Sequence, residues 1–259
     1  GIVASLCYLA ATGLQLQRML KGSGADRWVK LLAALAVTLH VVTAYKGFIK
    51  TGGYDLGIYP MLSLMSLSIG AIVLISSLRR PVDNLFVFVF PLAIITITLQ
   101  IVLKGDYTPL QDITRGIFSH IALSIIAYSL LTIAAAQALL LSFGDNMLRH
   151  HRLVMLRNLP PLETMEHLMF EVIWAGLVFL TLSIGSGFVF LDDFSEPGLV
   201  HHTVITLAAW IVFIVLAWGR YQMGWRGAIA SRWTLFGFVL LVLGYFGSKL
   251  VLEVILGKS

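Results

Sequence analysis

Long apolar stretches alternate with short polar connections along the whole chain. Eight of these stretches approach the length of about 20 residues that a helix needs to cross the hydrocarbon core of a bilayer. They cover residues 2–20, 29–45, 59–77, 85–103, 117–143, 169–191, 202–218 and 233–256. The pattern predicts an all-α polytopic membrane protein with eight transmembrane helices, in a single membrane domain over residues 1–259. The fifth stretch is expected to project beyond the membrane.

Polar side chains recur at every fourth position of the fifth stretch, as His120, Ser124, Tyr128 and Thr132. A spacing of four keeps side chains on one face of a helix. Such a stripe turns away from lipid, into a bundle or a cavity. It favours either a ligand-binding face headed by an imidazole or a set of interhelical hydrogen bonds, which polar stripes also supply.

Composition excludes the soluble classes of protein. Hydrophobic residues make up 58% of the chain and charged residues 12%, and the mean hydropathy is +0.90. Soluble domains carry about 25% charged residues. The net charge of +5 is therefore no sign of a nucleic-acid partner, and the expected surroundings are a lipid bilayer. The single cysteine, Cys7, excludes an internal disulfide, a Cys-rich zinc site and a Cys-x-x-Cys-His haem attachment.

The Lys and Arg residues alternate in density from one connection to the next. Twelve of the 18 lie on one side of the predicted bundle, namely Arg18, Lys21, Arg27, Lys30, Arg79, Arg80, Arg149, Arg152, Arg157, Arg220, Arg226 and Arg232. The richer side marks the cytoplasm, so both termini are predicted to be periplasmic. On that side, the connection 144–168 is expected to be a basic surface segment.

Four histidines are predicted to lie at similar depth in the outer half of the bundle: His40, His120, His201 and His202. A single histidine near a helix end is commonly a hydrogen-bonded interfacial residue. Three helices that place imidazoles in one layer favour function, because ionisable groups are costly inside a membrane. Two neutral imidazoles can hold haem iron from opposite faces. Zinc or copper is the alternative, although such sites usually recruit carboxylates or thiolates.

Two cations lie at the same predicted level as these histidines. Arg115, five residues before His120, is a candidate partner for a haem propionate. Lys249 is a second candidate, and its alternative partner is Glu253 at the i, i+4 position.

The helical phase of the seventh stretch favours His202 over His201. His202 shares a face with Thr206 and Trp210, whereas His201 points about 100° away.

Several motifs resemble those of the cytochrome c assembly superfamily, which includes the CcsA, CcmC and HemX proteins. They are Trp-Ile-Val-Phe-Ile-Val-Leu-Ala-Trp-Gly-Arg at 210–220, Gly-Trp-Arg-Gly at 224–227 and Gly-Tyr-Phe-Gly at 244–247. The segments 159–166 and 245–253 resemble the HemX/YpjD branch most closely. The resemblance covers nearly the whole chain, and its most specific part is the C-terminal third.

The resemblance implies a multi-pass protein of the bacterial inner membrane that binds or moves haem for cytochrome c maturation. It also implies partners among the proteins of cytochrome c maturation or haem synthesis. The segment 120–128 resembles the one that holds an outward-facing haem ligand in CcsA-type proteins, which gives His120 that role. The histidine at the mouth of span seven in the HemX/YpjD branch is best matched by His201. Helical phase and resemblance thus favour different residues, and His201 and His202 both stay open.

The chain departs from the CcsA-type pattern at three places. The tryptophan-rich WWD segment is absent, since residues 192–200 contain no Trp. Leu256 stands near the place of the second outward histidine, and Trp218 stands at the place of the histidine deep in the penultimate span. The first departure puts haem presentation to a synthase in doubt, but much less so haem binding.

The favoured hypothesis is a protein that holds haem b by bis-His ligation, with His120 and His201, His202 or His40 on the iron. Its task would be haem handling or transport and not enzymatic, because the sequence contains no nucleophile–base pair or phosphate loop. The alternatives are a cofactor-free regulatory or scaffolding membrane partner and a transporter for a metal ion or small solute.

Overall fold

The computed structural model describes residues 1–21, 26–103, 110, 111, 113–150, 159–190, 197–247 and 249. For residues 197–201 it describes the backbone alone.

Within these residues the chain forms eight α-helices that follow one another with short connections. They are α1 (Ile2–Lys21), α2 (Asp26–Phe48), α3 (Ile58–Ser77), α4 (Phe86–Val102), α5 (Arg115–Arg149), α6 (Leu162–Phe190), α7 (Pro197–Met223) and α8 (Gly227–Val242). A 3₁₀ turn (Asp83–Leu85) precedes α4, and a π-helical turn (Leu243–Gly247) extends α8.

Seven helical segments are long and apolar enough to cross a membrane, and they correspond to the second to eighth predicted spans. The structure thus confirms the all-helical, multi-span class. The first predicted span is a helix of 20 residues, α1, but it is not among these seven. Its last two turns carry Gln15, Gln17, Arg18 and Lys21, which lower its hydropathy. The count of eight spans and the periplasmic termini stay predictions.

The connection predicted over residues 144–168 is shorter than expected, because both flanking helices extend into it. Helix α5 has 35 residues and a length of about 52 Å, well beyond the roughly 30 Å of a hydrocarbon core. Helix α6 begins at Leu162, directly after two prolines, whose missing N–H groups are harmless at a helix start. Residues 151–158, with His151, Arg152 and Arg157, lie outside the described residues.

A short β-hairpin follows α2, an element that the sequence did not predict. Ile49–Lys50 pairs with Gly53–Tyr54 in antiparallel register, and Tyr54 forms a further bridge with Leu110. The turn needs glycine, since Gly52 and Gly53 have φ of 105° and 143°.

The helices pack as two groups of four. In the first group, the N-terminal bundle, α1 contacts α2 and α4, and α3 contacts α2 and α4. In the second group, the C-terminal bundle, α5 contacts α6 and α8, and α7 contacts α6 and α8. Helices α3 and α5 join the two bundles. Each predicted histidine ligand thus belongs to one bundle or the other.

Candidate functional site

His120 lies in the second turn of α5 and faces α6. Its Nδ1 is 2.9 Å from the backbone oxygen of Ser183 and 3.0 Å from Oγ of Ser186. A carbonyl oxygen can only accept, so Nδ1 carries the proton and the lone pair of the neutral ring is on Nε2. No described residue forms a hydrogen bond with this Nε2, and the side chain is half-buried.

His202 repeats this arrangement on α7. Its Nδ1 is 3.0 Å from the backbone oxygen of Gly244, in the π-helical turn after α8. The ring is half-buried, and Nε2 again has no hydrogen-bond partner among the described residues. Both imidazoles are therefore held in the tautomer that offers Nε2 to a ligand. Metal-bound histidines in proteins typically donate their other N–H to a carbonyl in this way.

Tyr245 connects His202 to Tyr128, on the face of α5 that also carries His120, and these side chains form one cluster. Tyr245 packs its ring edge-on against His202, with 5.7 Å between centroids, and against Tyr128, also at 5.7 Å. These contacts bring aromatic side chains of α5 and of the turn after α8 against the imidazole of His202.

The polar stripe on α5 makes hydrogen bonds within the C-terminal bundle. Ser124 bonds Ser183 on α6 with 2.6 Å between hydroxyl oxygens, and the Tyr128 hydroxyl donates to the Leu241 oxygen on α8 at 3.3 Å. Thr132 donates within its own helix to the Tyr128 oxygen. Three positions thus make hydrogen bonds inside the bundle, and His120 alone keeps a ring nitrogen for a further partner.

His40 stands apart from this cluster. It is fully buried in the N-terminal bundle, with Nδ1 3.3 Å from the Tyr8 hydroxyl and Nε2 3.0 Å from Oγ of Ser63. Both ring nitrogens are thus engaged by the protein. His40 has no ring nitrogen left for a further partner, whereas His120 and His202 each have one, and all three stay predicted iron ligands.

The predicted cations occupy different settings. Arg115 is the exposed first residue of α5, more than one turn before His120. Lys249 donates to the Leu56 oxygen and lies 5.6 Å from the centre of the Tyr245 ring. Lys249 therefore ties the end of the C-terminal bundle to the connection before α3, close to His202. Its predicted alternative partner, Glu253, lies outside the described residues.

Comparison with known proteins places the chain. Residues 28–256 match the family described as Cytochrome C assembly protein. The chain belongs to the cytochrome c assembly protein family. It is 30% identical to the inner membrane protein YpjD of Escherichia coli K12 over 257 residues, which are 98% of each chain. It is also 33% identical to an uncharacterized 28.8 kDa protein of Azospirillum brasilense over 143 residues, 53% of this chain and 52% of that one.

Membership of the cytochrome c assembly protein family confirms the resemblance derived from the motifs. Together with the seven apolar helices, it makes the chain a multi-pass inner membrane protein. No solved structure matches the chain.

Of the three positions that depart from the CcsA-type pattern, the structure describes one in full, Trp218. Trp218 stands at the place of the deep histidine of CcsA-type proteins. Its side chain is 63% exposed on α7, so it is not part of the buried core. His201 is in the helical backbone of α7, but its side chain lies outside the described part of the chain, as do residues 191–196 and Leu256.

The cluster contains residues that motif reading did not assign to the site. Ser183, Ser186 and Gly244 supply the acceptors that orient the imidazoles. Gly244 and Tyr245 belong to a motif that carried the family resemblance, and that was the only signal for them. Within the described residues no group of three or more His, Cys, Asp or Glu side chains is arranged to hold a metal ion.

Proposed function

We propose that this protein binds haem b in the outer half of its C-terminal bundle, with His120 and His202 as axial ligands. One observation carries the proposal: each Nδ1 donates to a backbone carbonyl, which leaves each Nε2 as an oriented lone-pair donor. The chemistry of the donor set fits, because imidazole nitrogens are common axial ligands of haem iron.

The chain's own residues would hold and orient the cofactor in this site. Ser183 and Ser186 fix the ring of His120, and Gly244 fixes that of His202. Tyr245 supplies an aromatic wall, and Lys249 supplies positive charge near His202. Bound haem would supply an iron centre that can take up and release one electron.

The role that we infer is handling or transport of haem in cytochrome c maturation, without a covalent reaction of its own. Family membership supports the pathway. The donor set supports the role, because two imidazole ligands fill both axial positions of haem iron and leave none for a substrate. His201, which the resemblance favours, is the alternative second ligand.

The test is a visible absorption spectrum of the full-length protein, purified and then titrated with haemin. The expected result is a Soret band with the sharp α and β bands of low-spin bis-His haem in the reduced state. His120→Ala and either His202→Ala or His201→Ala should abolish that low-spin signature. His167→Ala is the matched control, since that side chain is 71% exposed at the far end of α6.

Three outcomes would count against the proposal. If the protein is colourless and gains no low-spin spectrum with haemin, it does not bind haem in the proposed way. If a soluble protein copurifies with this colourless sample at a fixed stoichiometry, the regulatory alternative is favoured. A bound metal ion found by elemental analysis without haem would favour the transporter.

A further inference from the structure

An arginine lies on the outward face of α8. Exposed residues recur along this helix at steps of three and four positions, which places them on one face. They are Ile229, Arg232, Phe236 and Val239. The buried residues of α8 lie on the opposite face, toward α5 and α7. The face that carries Arg232 is therefore the one that meets lipid, and its other three members are apolar.

The depth of Arg232 in the membrane follows from the packing of α8 against α7. The two helices run antiparallel, and Gly237 packs against Phe213. Five residues from this contact toward the turn that joins the helices, Trp218 on α7 and Arg232 on α8 lie at the same height. Trp218 is exposed to lipid, and an exposed tryptophan is typical of the boundary between hydrocarbon and headgroups. Arg232 therefore lies at the depth of the lipid headgroups.

A second exposed arginine precedes α8. Arg226 is the N-cap residue of this helix, six positions or about 9 Å along the axis from Arg232. Neither guanidinium forms a hydrogen bond or an ion pair with any residue that the structure describes. The undescribed residues 22–25 and 151–158, in the other connections on this side, contain no Asp or Glu. Both arginines thus keep their charge for a partner outside the chain.

Other arginines on the side rich in Lys and Arg differ in this respect. Three of them have a carboxylate partner: Arg80 with Glu171, Arg149 with Asp145 and Arg220 with Glu166. Those carboxylates are consequently engaged already. The end of the C-terminal bundle where α7 ends and α8 begins therefore presents two unpaired guanidinium groups beside an apolar helix face.

We propose that Arg226 and Arg232 bind the phosphate of an anionic membrane phospholipid, whose acyl chains lie along Phe236 and Val239. A guanidinium matches a phosphate in geometry and can bind two of its oxygens at once. A charge on a lipid-facing surface is costly unless it meets an opposite charge, which the phosphate supplies. Two guanidinium groups repel a metal ion, and a soluble anion would leave the apolar face beside Arg232 without a partner.

The first test compares two lipids with identical acyl chains on the full-length wild-type protein. Phosphatidylglycerol carries a net negative charge, whereas phosphatidylcholine is neutral because its choline balances the phosphate. We expect native mass spectrometry to find at least about fivefold more retained phosphatidylglycerol, the ratio that corresponds to the attraction of one arginine near an anionic surface. Equal retention of the two lipids would overturn the proposal.

The second test removes the charges one at a time. Arg232→Gln and Arg226→Gln should each lower the preference for phosphatidylglycerol about fivefold or remove it. Arg79→Gln is the matched control. It removes the same charge from an exposed arginine that has no ion pair among the described residues, but Arg79 lies in the connection between α3 and α4. The control should keep the preference of the wild type.

Thermal unfolding adds a second readout and shows that each variant is folded. Phosphatidylglycerol should raise the unfolding midpoint of the wild type and of Arg79→Gln more than that of Arg232→Gln. If Arg232→Gln does not fold, Arg226→Gln and the wild-type lipid comparison decide the matter. An equal loss of preference in Arg79→Gln would reduce the site to general charge attraction and contradict the assignment. Binding of an acidic protein through these two arginines, without any lipid preference, would also overturn it.

Discussion

Both bundles contain imidazoles, but the ring nitrogens have different partners in the two bundles. In the N-terminal bundle, His40 is fully buried and its two nitrogens contact the hydroxyls of Tyr8 and Ser63. In the C-terminal bundle, His120 and His202 are half-buried, and each engages one nitrogen only with the protein.

The difference teaches that burial alone does not identify a ligand histidine in a membrane bundle. The more buried imidazole, His40, is the one with no nitrogen left for a ligand. What separates the two settings is the partner of Nδ1: a backbone carbonyl fixes the tautomer, whereas a hydroxyl can donate or accept and fixes nothing.

The largest expected effect is on haem binding. Replacing His120 or His202 with Ala should weaken haemin binding by at least about tenfold, because the iron loses an axial ligand. His40→Ala should change haem bound per folded molecule by less than about twofold. Haemin titration followed at the Soret band measures both. An equal loss in all three variants would erase the distinction between the bundles.

The second prediction concerns stability. Here the His40 variant is expected to lose more than the His120 variant, the reverse of the order for haem binding. His40→Ala should lower the free energy of unfolding by about 3 kcal/mol, because it opens a cavity and leaves Tyr8 and Ser63 without a partner. His120→Ala should cost about 1 kcal/mol, since its ring is half-buried. Reversible denaturation in mixed micelles gives the comparison. A more costly His120→Ala would show that the roles are reversed.

A third prediction concerns the end of the C-terminal bundle where α7 ends and α8 begins. Glu166 accepts from Arg220 at 2.6 Å and from the Gly227 backbone N–H at 2.8 Å, and it thereby joins α6, α7 and α8. Glu166→Gln should lower stability by about 2 kcal/mol, because a largely buried guanidinium loses its carboxylate. The same denaturation assay applies, with Glu163→Gln on the same helix as control. Unchanged stability would mean that solvent already screens this pair.

The smallest effect is expected at Ser186. Ser186→Ala removes one of two acceptors at Nδ1 of His120, and the Ser183 carbonyl remains in place. Stability should fall by less than about 1 kcal/mol, and the low-spin spectrum should persist. Haem loss as severe as that of His120→Ala would show that the hydroxyl, not the carbonyl, orients the ring.

Much of the architecture follows from apolar length alone. Seven of the predicted spans coincide with apolar helices, because a bilayer accepts only segments that satisfy their own backbone hydrogen bonds. The helix ends were harder to predict. Connection 144–168 looked like a surface segment because it is polar, yet residues 144–149 and 162–168 are helical. The polar residues of this connection therefore do not mark the ends of the two helices.

The sequence predicted a layer of histidines, but it could not show which other side chains each of them contacts. Spacing along α2, α5 and α7 gave similar depth to His40, His120 and His202. Which of them share a cluster depends on how the helices pack, and no pattern within a single helix encodes that. The acceptors at Ser183 and Gly244 could not be predicted either. Their backbone oxygens accept the hydrogen bonds, and every residue type has such an oxygen.

The bond from His202 to Gly244 also has a bearing on biogenesis. An imidazole on α7 is steadied by a carbonyl that is made some 40 residues later, after α8 has been synthesised. Until α8 and the turn that follows it have been made, Nδ1 of this ring lacks the carbonyl that sets its tautomer. Orientation of the imidazole therefore depends on synthesis of the chain through Gly244.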